Sequence, residues 1–143
     1  MSDAIAAFGT LLKMSNGLTG TAEIFTTIAE VGDIDGPSMS VDTIEVTSHS
    51  SPSARKEFIA SLIDSGELSF PIWFVTDDPT HDETTGLQKI MNDRVVRNFK
   101  IVYPDAASVT FAALVTKFGV KSPVAGVQSA DVTLKISGVW TWA

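Results

Sequence analysis

The stretch "DVTLKISGVW" near the C-terminus alternates with period two. Val132, Leu134 and Ile136 are apolar, while Asp131, Thr133, Lys135 and Ser137 are polar. A segment of this pattern puts one face on a core and the other in water as a strand. The same reading extends along the chain. Strands are expected over Phe8–Met14, Ile24–Ile34, Ser40–Thr47, Gly66–Thr76, Arg97–Tyr103, Ser108–Val120 and Asp131–Trp142. The first ends at the turn cluster Ser15, Asn16 and Gly17, and the second closes at Asp35, Gly36 and Pro37. Pro71 cannot donate a ladder hydrogen bond, so the fourth strand belongs at an edge or carries a bulge. One helix is expected over about 81–94, where Thr80 and Glu83 have capping-box spacing and Leu87, Ile90 and Met91 form an apolar stripe. The fold expected is mainly β: an antiparallel sandwich or barrel of about seven strands, with one flanking α-helix and a long inter-strand loop. With 143 residues and no linker or repeat, a single domain over 1–143 is the reading.

The long loop is "IEVTSHSSPSARKEFI". Ile44 and Val46 alternate with Glu45 and Thr47, and then six residues, Ser48 to Ser53, break the pattern. Connections longer than about 12–15 residues are uncommon unless they carry a function. The loop is expected over about 48–65. Phe58, Ile59, Leu62 and Ile63 have helix-like spacing within it, consistent with a turn or two of helix that would need a partner.

Chemistry is hard to find. The absence of cysteine removes disulfides, thiolate metal sites and a cysteine nucleophile. "TDDPTHDE", Thr76 to Glu83, gathers four carboxylates and an imidazole, but without the D-x-D-x-D-G spacing of a calcium loop. A solvated turn leading into an acidic first helical turn accounts for it better. His49 sits among serines, yet no G-x-S-x-G elbow accompanies it, and no phosphate-cradling glycine pattern occurs. Arg94, Arg97 and Lys100, with Phe99 between them, form a basic patch against a net charge of −7. That balance disfavours nucleic-acid binding, so a surface or an intersubunit ion-pair partner is the better account. Trp140 and Trp142 at a strand end read as core or interface anchors, and Trp73 lies on a strand apolar on both faces. No apolar run approaches the roughly 18 residues of a membrane span, and the first residues lack a basic signal-peptide head. The expectation is a soluble, non-enzymatic protein without cofactor or metal, with surplus capacity for assembly.

Three motifs in succession carry a resemblance: "AEVGDIDGPSMS", then "DTIEVTSHSS", then "KEFIASLIDSGELSF". In that order they resemble the major tail tube proteins of long-tailed, lambda-like bacteriophages, over roughly the first half of the chain. The second half matches by element order. The resemblance implies a structural virion tail subunit, assembled in the host bacterial cytoplasm into hexameric rings that stack into a tube. DNA would transit the lumen without specific binding, and tape measure, tail terminator and tip proteins would be partners. It implies that the loop after the third strand reaches the next ring, which nominates His49, Arg55, Lys56, Glu57, Phe58 and Ile59. An acidic lumen would let phosphate slide, and Asp33, Asp35, Asp42 and Glu45 are the candidate acids. Trp73, Arg94, Arg97, Trp140 and Trp142 are candidates for contacts between subunits. Some relatives carry a further C-terminal immunoglobulin-like domain, and none is expected here. A head–tail joining ring or a secretion-system tube protein is the alternative.

Overall fold

The spine of the molecule is a long antiparallel hairpin of β7 (Ser108–Lys121) and β8 (Ser129–Trp142), paired from Lys121↔Ser129 to Val109↔Trp142. Residues 4–18 and 20–143 are described by the structure, a computed structural model. Four more strands flank the hairpin: β1 (Leu11–Ser15), β2 (Phe25–Thr27), β5 (Glu67–Trp73) and β6 (Arg97–Val102). They give a six-stranded antiparallel sheet in the order β2-β1-β6-β7-β8-β5. The end strands β2 and β5 do not pair, so the sheet stays open rather than closing into a barrel. A separate two-stranded ladder joins β3 (Ser40–Glu45) to β4 (Phe58–Asp64).

Alternation decides which face of the sheet is buried. Leu68, Phe70 and Ile72 of β5, Phe99 and Ile101 of β6, Val109 to Val115 at odd positions of β7, and Val132, Leu134 and Ile136 of β8 all point inward. The helix α1 (Leu87–Asp93) lies across them with Leu87 and Ile90 fully buried, and Ile28 completes the cover. The result is sandwich-like, with a sheet on one side and the helix and connecting segments on the other.

Pro71 lies where its missing N–H does no harm. β5 is an edge strand, and its outward-facing amides at Ser69 and Trp73 donate to Asp35 and Glu30 of a strap, residues 30–36, running outside it. Pro71 falls at the same outward register and offers its carbonyl to the Gly32 N–H at 2.8 Å. A Cβ on Gly32 would stand 2.9 Å from the Trp73 ring, so only glycine lets the strap approach this closely. The second expected strand is thereby shortened. Its first part pairs with β1, then Glu30 turns at φ 57 and the chain crosses to β5, leaving bridges at Val31↔Ile72 and Asp35↔Ser69.

Two other elements differ from the sequence reading. The segment expected as a turn or two of helix within a loop over 48–65 is strand β4, making eight strands among the described residues. Its helix-like spacing comes from a bulge: the register passes from Val41↔Ile63 to Thr43↔Ala60, so Ser61 and Leu62 together oppose Asp42. An extra residue breaks period two and imitates a helical repeat. The helix, expected over about 81–94 from a capping box, begins only at Leu87 with Gly86 as its N-cap. Thr80 and His81 are occupied elsewhere, as described next.

Candidate assembly surfaces

The acidic stretch Thr76–Glu83 is a folded latch. His81 is fully buried. Its Nε2–H donates to the Ala29 carbonyl at 2.7 Å, and its Nδ1 accepts from the Val75 N–H at 3.2 Å. Thr80 accepts from the Ala29 N–H and donates to Asp78 at 2.6 Å. That hydroxyl bond leads the causes holding the Asp78 carboxyl below its ordinary range. Asp82 accepts from the Thr85 and Gly86 N–H groups, which lowers its pKa in the same way. Asp78, His81 and Asp82 are therefore engaged within the latch, and no metal-holding cluster occurs among the described residues.

β3 and β4 form an arm. Every residue of both strands is exposed, although a lone two-stranded hairpin is marginally stable in water. The bulge distributes its apolar side chains over both faces. Val41, Ile63 and Phe58 share one face, and Ile44 and Ile59 share the other. At its root the arm is fastened to β8. The Ser65 hydroxyl donates to the Gly138 carbonyl, Trp140 Nε1–H donates to the Ser65 carbonyl at 3.2 Å, and Lys135 meets Asp64 at 3.1 Å. The Asp64 carboxyl is held below its usual range chiefly by the Gly66 N–H and then by Lys135.

Residues 46–57 cap the arm as an ordered turn. The Ser51 hydroxyl donates to Glu57 at 2.8 Å, and the Glu57 N–H donates to Thr47 Oγ1 at 2.9 Å. Glu57 thus works inside the tip. Arg55 and Lys56 are exposed and take part in none of the ion pairs among the described residues. His49 is exposed, Phe58 is 54% exposed where β4 begins, and Ile59 faces Ile44 across the ladder.

The remaining candidates scatter. Asp33 and Asp35 lie on the strap, whereas Asp42 and Glu45 lie on β3 and alternate to opposite faces of the arm. Phe99 is buried and stacks on Phe111, while Lys100 lies on the opposite face, 4.8 Å from the centre of the Phe25 ring. The basic, aromatic-interleaved patch therefore does not exist as one surface. Arg97 covers the β1–β2 turn at Gly17, and Arg94 is exposed in a left-handed cap of α1. Trp140 anchors the arm root, Trp142 is 58% exposed and stacks on Tyr103, and Trp73 is half exposed over Gly32.

Sequence reasoning missed an open cleft of about 620 Å³ between residues 5–10 and the strap. Val31, Ile34, Ile101 and Tyr103 line it, Phe8 stands at its edge with 96% exposure, and Asp33 supplies the charged side chain. Its walls come from segments far apart in sequence, so no local pattern announces it. None of the described helices is long and apolar enough to cross a membrane.

Solved structures share this architecture. The tail of an empty gene transfer agent particle, computed with C6 symmetry, matches with a TM-score of 0.78 at 23% identity, covering 98% of this chain and 99% of that one. A chain of the native gene transfer agent virion matches at 0.76 and 20% identity, covering 98% and 99%. The sheath–tube complex of an extracellular contractile injection system in its extended state matches at 0.67 and 14% identity, covering 99% and 92%. At these identities the likeness establishes the fold. No curated protein sequence matches significantly. Residues 9–143 match the family model for the lambda phage tail tube protein, and the chain belongs to that family.

Proposed function

We propose that this chain is the repeating subunit of a virion tail tube. Six copies close into a ring, rings stack, and the channel carries DNA toward the host. Family membership supports the tube, and the arm is the observation that carries the assembly. It is a hairpin apolar on both faces, exposed throughout, and rooted by a buried serine and a tryptophan. Such an element gains its stability from surfaces on other copies. The inter-ring contact falls to Arg55, Lys56, Phe58 and Ile59 with His49 beside them, while Glu57 holds the tip in shape. Trp73, Arg94 and Trp142 are exposed and serve contacts between neighbours.

The four candidate lumen acids do not form one row, since two sit on the strap and two alternate across the arm. We assign the sliding of DNA to the overall excess of 17 acidic over 10 basic residues, which repels phosphate along the whole channel. Turnover and cofactors have no part in this reading. A tape measure protein within the growing tube, terminator and tip proteins at its ends, and assembly in the bacterial cytoplasm complete it.

Electron microscopy tests the proposal on protein concentrated alone and co-expressed with the tail-tip complex of its particle. Stacked rings with an axial channel are expected. A monomer under both conditions would overturn the proposal.

A further inference from the structure

We propose that the arm tip of one copy seats in the strap cleft of another, with Phe58 on the apolar lining and Arg55 or Lys56 paired with Asp33. This rests on the reading that copies of the chain assemble.

Each half of the contact is incomplete alone. The cleft has apolar walls and one acid, and Asp33 takes part in no ion pair or side-chain hydrogen bond among the described residues. The tip presents the converse: two exposed cations next to an exposed aromatic ring. Long cationic side chains lay their stems along apolar surface while the charged head reaches a carboxylate. Two other clefts fit less well. One, of about 290 Å³ over the β1–β2 turn, already holds Lys89 and Arg97, which would repel a basic tip. The other, of about 600 Å³ between the arm root and β8, is lined by Asp42 and Asp64, but Lys135 engages Asp64, and Asp42, Leu62 and Ile63 of its lining belong to the arm itself.

The contact must be made between copies. None of residues 46–58 lines the cleft of its own chain. The strap leads into the root of the arm, and seven residues of β4 carry the tip roughly 20 Å beyond that root. Tip and cleft are different surfaces, so pairing them is heterologous and propagates from copy to copy. A stack of rings requires a contact of that kind.

The cysteine-free chain makes a direct test simple. Lys56→Cys and Asp33→Cys are introduced together, and assembled material is oxidised and run without reductant. Covalent ladders of several copies are expected, with neither single variant progressing beyond a dimer. In parallel, Arg55→Glu with Lys56→Glu, and Asp33→Lys, should each lower tube yield about ten-fold or more, and their combination should restore much of it. Unchanged monomer melting shows that the variants fold. Tubes of normal form without cross-links overturn the docking alone, as does a cross-link formed within dilute monomers or a failed charge exchange. If the unmodified chain forms no tube with its tip complex, the assembly reading falls and the docking falls with it.

Discussion

His81 Nε2 lies 2.7 Å from the carbonyl oxygen of Ala29, joining two points 52 residues apart in the chain. The ring fills a fully buried position, and its other nitrogen accepts the Val75 N–H. His81→Ala would remove the partners of the Ala29 carbonyl and the Val75 amide and leave a cavity at a fully buried position. A loss of about 2–4 kcal/mol in monomer stability is expected by thermal or urea unfolding. His81→Gln, which can still donate, should recover part of it.

Gly66 closes the root of the arm at φ +86, and a Cβ there would overlap the Ser38 carbonyl. An alanine adds left-handed strain to that collision, so Gly66→Ala is expected to cost more than about 2 kcal/mol. Calorimetry of the monomer checks this. At Gly20, which also has positive φ but open space around it, the same substitution should cost only the backbone term.

Acid should loosen the arm root. Asp64 has its carboxyl lowered by the Gly66 N–H and by Lys135. A depressed folded-state value means that the stabilisation is present above the ordinary carboxylate range and is lost as pH falls through the folded-state value. Amide exchange at Gly66 and Ile136, whose backbones meet at 3.0 Å, should therefore accelerate below about pH 4. Asp64→Asn should remove that pH dependence, while high salt should mimic part of it.

The two faces of the arm should fail separately from the fold. Val41→Ser with Phe58→Ser leaves only Ile63 of the apolar trio on one face, and Ile44→Ser with Ile59→Ser removes the facing isoleucine pair from the other. All four side chains are exposed, so monomer stability should change by less than about 1 kcal/mol. Tube yield, counted by microscopy or sedimentation, should collapse for either pair. Loss from one pair only would mean that a single face meets another copy.

The sheet was legible because its signal is local. Val132, Leu134 and Ile136 alternate in sequence and are buried in the structure, and Pro71 marked an edge strand that is an edge strand. The arm was half legible. Its position shows in the break after Thr47, but β4 was hidden because the bulge at Ser61 and Leu62 shifts the alternation toward a helical repeat. The latch was misleading for another reason. Thr80 and Glu83 have the spacing of a capping box, yet Thr80 bonds to Ala29 and Asp78, a tertiary demand that local spacing does not reveal. The cleft beneath Asp33 depends on the strap crossing to β5, which Glu30 and Gly32 permit through backbone geometry alone.

Hydrogen–deuterium exchange of β3 and β4 tests most directly whether other copies complete the arm. Amides of Ser40–Glu45 and Phe58–Asp64 should exchange fast in the monomer, despite their ladder, and become strongly protected in assembled tubes. Protection in β7 and β8 should be high in both states. Equal exchange of the arm in monomer and tube would contradict the account.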